Sequence, residues 1–161
     1  MPQALIGLGG NVGDVRATLA KAVAAFCDGE AVRLLARSSD YETPPWGVTD
    51  QPPFVNLAVR VETELSPRDL LKRALAVEAG LGRDRATGRR WGPRPVDIDI
   101  LAYGDIRLDE PDLHIPHPRM TERAFVLVPL AEIAPDWVLE GRAIADWVTA
   151  IDTAGVKRLP G

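Results

Sequence analysis

A single cysteine, Cys27, leaves this 161-residue chain unable to form an internal disulfide. It stands beside Phe26 on a predicted helix, where a buried and inert thiol is the natural reading. Histidine is almost as scarce. The two present, His114 and His117, lie three apart in a proline-bracketed stretch and do not make a zinc site without further ligands. No apolar run approaches the roughly 20 residues of a membrane span. The opening Met1-Pro2-Gln3-Ala4-Leu5-Ile6-Gly7 lacks the basic-then-apolar order of a secretory signal. The expectation is a cytoplasmic protein with no membrane partner. A basic excess is missing too: net charge is −4 and the pI is near 5.2, whereas a chain devoted to nucleic acid is usually basic. Lysine is rare, since 16 of the 19 basic residues are arginine. That bias suits bidentate phosphate binding, and it fits the base composition of a genome equally well.

An apolar fraction of 46% argues against disorder, and the length fits one domain, residues 1–161, with a core that needs no staple. Repeats, low-complexity tracts and linkers are lacking. Ala4 to Leu8 reads as a buried strand entering the glycine turn Gly7-Leu8-Gly9-Gly10-Asn11-Val12-Gly13-Asp14. No Lys followed by Ser or Thr completes a phosphate loop, and Val12 occupies the third glycine of a dinucleotide fingerprint. A plain strand-to-helix turn is favoured. Asp14 can cap a helix carrying Leu19, Ala22, Val23 and Phe26 at helical spacing, and Gly29 can end it.

Ala31 to Ser39 predicts a second strand, with Val32, Leu34 and Ala36 inward. From Tyr41 to Pro53, four prolines and a glycine predict an irregular binding loop, in which Trp46 is either a contact residue or a plug. Phe54 to Glu64 predicts a third strand with Val55, Leu57, Val59 and Val61 on its core face. Phe54 and Asn56 fall on the other face. They could stack on and hydrogen-bond a flat heterocycle, although an edge aromatic and a turn amide explain them as well. Ser66-Pro67-Arg68-Asp69 opens a helix, with Leu71, Ala74, Leu75, Glu78 and Leu81 expected on one stripe. Glu78 there is either a boundary residue or a functional one. A short hairpin strand is expected at Ile106 to Leu108, an irregular segment at Pro111 to Pro118, and helices at Val126 to Ile133 and Ala143 to Ile151.

The strongest chemical signal is Val96-Asp97-Ile98-Asp99-Ile100, which alternates like a strand. Its two carboxylates share one face about 7 Å apart. At an effective dielectric near 20 they repel by roughly 2 kcal/mol, so water, arginine or a metal must offset them. Upstream lie Arg83, Arg85, Arg89, Arg90 and Arg94. Paired carboxylates without a Cys or His cluster favour Mg²⁺, whose remaining ligands come from substrate phosphates and water. Each half could be an ordinary solvated surface; their adjacency points to phosphoryl transfer. The order β-α-β-β-α-β followed by helices suggests an α+β, ferredoxin-like two-layer sandwich with extra C-terminal helices, its open sheet face roofed by loops.

Arg90 to Ile100, Arg-Trp-Gly-Pro-Arg-Pro-Val-Asp-Ile-Asp-Ile, resembles the signature of the 6-hydroxymethyl-7,8-dihydropterin pyrophosphokinases. The resemblance extends, in order, through Gly7 to Asn11, Tyr41 to Pro45, Asp50-Gln51-Pro52 with Phe54-Val55-Asn56, Glu78 with Gly82-Arg83, and Ile115-Pro116-His117 with Arg123 and Phe125. It implies diphosphoryl transfer from ATP to the hydroxymethyl oxygen of 6-hydroxymethyl-7,8-dihydropterin, releasing AMP, in folate biosynthesis. It further implies that Asp97 and Asp99 hold two Mg²⁺ ions. Phe54 and Phe125 would sandwich the pterin while Asn56, Thr43, Pro44 and Trp46 read its edge. ATP would meet Glu78, Arg83, Trp91, Arg94, Ile100, His117 and Arg123, with Arg83 and Arg94 acting on the transferring group. A monomer that binds no nucleic acid is expected. Three departures stand out: Pro118 where many members carry an aromatic, Leu75 where some carry Gln, and the arginine loop Asp84 to Arg90, which differs in sequence from some members and leaves open which of Arg85, Arg89 and Arg90 acts. A ferredoxin-like RNA-binding module, or a Mg²⁺-dependent transferase acting on another small alcohol, are the competing readings; the acidic pI speaks against the first.

Overall fold

The computed structural model describes residues 2–44, 52–81 and 96–161. In chain order its elements are β1 (Gln3–Gly10), α1 (Val15–Phe26), β2 (Val32–Arg37), β3 (Tyr41–Thr43), β4 (Phe54–Thr63), α2 (Pro67–Gly80), β5 (Asp97–Tyr103), β6 (Leu108–Glu110), β7 (Leu113–Ile115), α3 (Ala124–Ile133), β8 (Val138–Leu139), β9 (Arg142–Ala143), α4 (Ile144–Thr149) and β10 (Lys157–Arg158). The architecture is α+β, an antiparallel sheet with helices. β1 lies between β4 and β5. The long β4 carries β2 beside one end and β3 beside the other, and β10 adds outside β3.

One face of this sheet meets α1 and α2. Asp14 caps α1 by accepting the Ala17 N–H, and Leu19, Ala22, Val23 and Phe26 are buried as their spacing predicts. Full burial of Phe26 is worth about 2–3 kcal/mol. Burial also pushes the Cys27 thiol up to about 11, consistent with an inert group. Ser66 caps α2 through the Asp69 N–H at 3.1 Å. The α2 stripe is rotated from the expected one: Leu70, Ala74 and Glu78 are buried, while Leu75 is 38% exposed. Ile6, Leu8, Val55, Leu57, Val59, Val61, Ile98 and Ile100 supply the sheet side of this core.

Several expectations need correction. β1 continues through Gly10, so only Gly13, at φ +63°, belongs to the turn. β2 slips register between Leu34 and Ala36, a bulge at Leu35 that leaves both leucines exposed and only Val32 of the expected set buried. Tyr41–Thr43, read as loop, is a strand because β4 and β10 supply its hydrogen bonds from both sides. The stretch around His114 is likewise the second strand of a hairpin, β6–β7.

The second sheet face is not simply open. At one end Leu5, Ala58, Leu101 and Ala102 pack under Met120, Leu130, Ala134, Leu139 and Ile144, a second core beneath α3 and the C-terminal segment. Arg60 lies over the Trp137 ring there, 5.3 Å from its centroid. The other end of that face is where the cavity begins.

Candidate active site

Strand registry builds the cavity floor. Gly9 faces Asn56 across β4 and Asp97 across β5; Gly7 faces Ala58 and Asp99 in the same way. Directly opposed residues share a face, so two rows cross the sheet, each with a glycine in the middle. Strand spacing puts Asn56 and Asp97 about 10 Å apart at the backbone, with no side chain between them. A Cβ on Gly9 would lie 2.4 Å from the Asn56 Oδ1, and one on Gly7 would lie 3.2 Å from a Leu101 methyl. Leu101, two residues beyond Asp99 on the same face, belongs to the core half, and the bulge there sets Ala102 on that face as well.

Above this floor is a cavity of about 470 Å³, within the usual range for a small-molecule site. One end is aromatic and amide-bearing. Phe54 and Phe125 line it, and Asn56 donates from Nδ2 to the Thr43 Oγ1 at 3.1 Å. Thr43 is buried, so the sheet holds the Asn56 carboxamide rather than leaving it to rotate. Asp97 and Asp99 form the other end. Among the described residues no cluster of three or more His, Cys, Asp or Glu could enclose a metal. Two carboxylates on one strand are a donor set of hard oxygens, fit for Mg²⁺ that takes its remaining ligands from phosphate and water.

Arg119, Glu122 and Arg123 line the third side, from the short 3₁₀ turn Met120–Glu122 and the start of α3. The Arg123 guanidinium lies 5.6 Å from the Phe125 ring centroid, a cation–π distance. His117 is half-buried. Burial pushes its imidazole below the ordinary value; Asp99 opposes that, and Arg123 and His114 add to it. His114 instead pairs with Asp109 across the hairpin, Nδ1 to Oδ1 2.8 Å.

The structure therefore brings together Thr43, Phe54, Asn56, Asp97, Asp99, Arg123 and Phe125, with His117 alongside. Pro44 follows β3 and is exposed. Two residues expected at ATP are turned inward: the Ile100 side chain belongs to the helix-side core, and Glu78 is 2% exposed beneath β5. Trp46, Arg83, Trp91 and Arg94 lie outside the described residues, as do Arg85, Arg89 and Arg90. Sequence reasoning missed Gly7 and Gly9 as the floor, because it placed them in a turn, and it missed Glu122 altogether. The signal for the glycines was their spacing of two, strand periodicity on the face that also carries Asp97 and Asn56.

Residues 5–135 match the family described as 7,8-dihydro-6-hydroxymethylpterin-pyrophosphokinase. The chain is 50% identical over 159 residues to the 2-amino-4-hydroxy-6-hydroxymethyldihydropteridine pyrophosphokinase of Methylorubrum extorquens, covering 99% of each chain. It is 43% identical to the Pseudomonas aeruginosa enzyme of the same name over 157 residues, 97% of this chain and 96% of that one. Among solved structures, wild-type HPPK-DHPS of Plasmodium falciparum shares the fold with a TM-score of 0.70 at 17% identity. That match covers 92% of this chain, which spans 41% of the longer Plasmodium chain.

Proposed function

The chain belongs to the 7,8-dihydro-6-hydroxymethylpterin-pyrophosphokinase family, transferases that pyrophosphorylate hydroxymethyldihydropterin in folate synthesis, and from that premise we propose how its residues divide the work. One observation carries the proposal: the two glycine-centred rows join an aromatic, amide-bearing end to a paired-carboxylate end on one sheet face. A flat heterocycle fits the first end and a metal-bound polyphosphate the second. The pterin stacks between Phe54 and Phe125, and Asn56, Thr43, Pro44 and Trp46 read its edge. Asp97 and Asp99 hold two Mg²⁺ ions, which would neutralise the polyphosphate charge and polarise the transferring group. His117 and Arg123 meet ATP phosphates. Arg83 and Arg94 stabilise the transferring group, and Trp91 and the Ile100 backbone help hold the nucleotide.

In the step itself, the hydroxymethyl oxygen attacks the β-phosphorus of ATP. A new O–P bond forms as the bond between the β-phosphorus and the α–β bridging oxygen breaks. The diphosphoryl group moves to the pterin, AMP leaves with the bridging oxygen, and the hydroxyl proton is lost. Such a reaction needs positioning and charge stabilisation more than a strong base. The oligomeric state we propose is a monomer, and the element order supports the ferredoxin-like reading with C-terminal helices added. No helix among the described residues is long and apolar enough to cross a membrane. We place the enzyme in the cytoplasm with ATP and the dihydropterin as its partners, and with no nucleic acid.

The test separates the two ends. Pterin binding is followed by fluorescence titration and turnover by pterin-dependent AMP release. Phe54→Ala should weaken pterin binding about 5- to 160-fold, the range expected of a lost aromatic contact worth about 1–3 kcal/mol. Asp97→Ala should leave pterin binding near wild type while abolishing turnover. The reverse pattern would overturn the assignment.

A further inference from the structure

Glu78 is a carboxylate at 2% exposure on the same α2 stripe as Leu70 and Ala74, where an apolar residue would ordinarily sit. It does not line the cavity. Its Oε2 accepts the backbone N–H of Ile98 at 2.7 Å. Ile98 is the residue between Asp97 and Asp99, and that places the contact in mechanistic context.

β5 ends the sheet path, so on its side away from β1 no strand runs beside it among the described residues. Successive N–H groups of a strand point to opposite edges. With the Ile98 N–H directed at Glu78, those of Asp97 and Asp99 point towards β1, where Gly9 and Gly7 are their partners. The first residues of β5 are thus gripped from both edges, by a strand on one and a helix carboxylate on the other. Asp97 is the first residue of the strand, where fraying is easiest.

We infer that Glu78 is a positioning residue: its buried carboxylate pins the Ile98 peptide from the edge of β5 away from β1, and so fixes the direction in which Asp97 and Asp99 project towards metal. This rests on the carboxylate–metal reading above. It requires no contact with the nucleotide, near which the resemblance had placed Glu78. Side chains that ligate metal need their own support to hold geometry; here that support reaches the ligands through the backbone.

Three variants test it on the full-length chain. Glu78→Gln keeps an acceptor oxygen, Glu78→Leu keeps the volume without one, and Glu78→Asp keeps the charge but withdraws the acceptor by one methylene. The readouts are amide hydrogen exchange at Ile98, Mn²⁺ affinity by spin resonance with a non-hydrolysable ATP analogue present, and the kcat and KM values. The Leu variant should exchange Ile98 at least tenfold faster, bind Mn²⁺ about tenfold more weakly and lower kcat, with the pterin KM unchanged. The Asp variant should lie between it and wild type, and the Gln variant should stay near wild type in all three. Unchanged Mn²⁺ affinity in the Leu variant would overturn the inference, as would a raised KM for ATP with normal Mn²⁺ binding. If the Leu variant does not fold, the Asp variant decides: wild-type Ile98 exchange or Mn²⁺ affinity would overturn the inference. Exchange and metal binding are read without turnover. A wild-type enzyme that releases no AMP with pterin would therefore sink the functional reading, not this one.

Discussion

The two ends of the second sheet face are made from the same three strands and could hardly differ more. Along β1 the side chains on this face run Leu5, Gly7, Gly9; along β5, Leu101, Asp99, Asp97; along β4, Ala58, Asn56, Phe54. Within two or four residues each strand passes from core to site. The core end is closed by α3 and by Leu130, Leu139 and Ile144. At the site end two glycines let the Asn56 amide and a Leu101 methyl lie close over the β1 backbone. Stability and activity are thus segregated along the strands, not between layers, and substitutions a few ångströms apart should report on different quantities.

The sharpest break in the comparison is Asp97→Ala. It should lower kcat by about three orders of magnitude, the scale of several kcal/mol of metal stabilisation, while the melting temperature stays within about 3 °C of wild type. AMP release and calorimetry check the two halves of that statement. At the core end, Leu130→Ala should do the opposite. A fully buried leucine truncated to alanine costs about 2–5 kcal/mol, or a fall of about 10 °C for a chain of this size, with kcat at 25 °C changed no more than about twofold.

Gly9→Ala probes the boundary. The new methyl meets the end of a flexible side chain, the Asn56 Oδ1, so the amide can rotate and the fold survives. The rotation breaks the bond to Thr43 and turns away the group proposed to read the pterin. We expect the pterin KM to rise about tenfold, the worth of roughly one hydrogen bond at the upper end of its range, with little change in melting temperature. A variant that unfolds would show the glycine to be structural.

The smallest effect belongs to the seam where α3 joins the sheet. The Tyr41 hydroxyl donates to the Glu132 Oε1 at 2.6 Å, and the Ser39 N–H donates to the same carboxylate. Burial, then the hydrogen bond and charge of Glu132, pushes the Tyr41 phenol up to about 12. Burial pulls Glu132 upward, but the Tyr41 and Ser39 hydrogen bonds outweigh it and hold the carboxyl below its ordinary value of 4.5. The signs depend on which state binds more protons. The Glu132 contribution is present above pH 4.5 and lost as pH falls through its lower folded value. The Tyr41 contribution is present below pH 10 and lost as pH rises towards about 12. Tyr41→Phe should cost about 1 kcal/mol at neutral pH and flatten the alkaline limb of the melting curve between those two values.

Much of this division is legible in the sequence. Asp97 and Asp99 announce themselves by alternation, Phe54 and Asn56 by facing, and α1 and α2 by caps and spacing. The hidden part is non-local. Tyr41–Thr43 becomes a strand because of neighbours some twelve residues ahead and over a hundred residues later, and no local propensity encodes that. The bulges at Leu35 and Leu101 each invert the facing of the residues beyond them, which a strict period of two cannot foresee. The second core escapes a sequence reading because α3 reads as an apolar helix without saying which surface it covers.

The glycine rows have a further consequence, for the time it takes to make an enzyme. Gly9 meets Asn56 and Asp97 only when segments about 50 and 90 residues away along the chain have both docked on β1. Loop closure over such spans comes late and slowly, and folds dominated by distant pairings cross their barrier in milliseconds or longer rather than microseconds. The carboxylates cannot be held against the aromatic end in a half-built chain, because the strand between them needs both β4 and β5 beside it. Catalytic competence in this protein is therefore a property of topological completion, arriving only once β5 has joined β1.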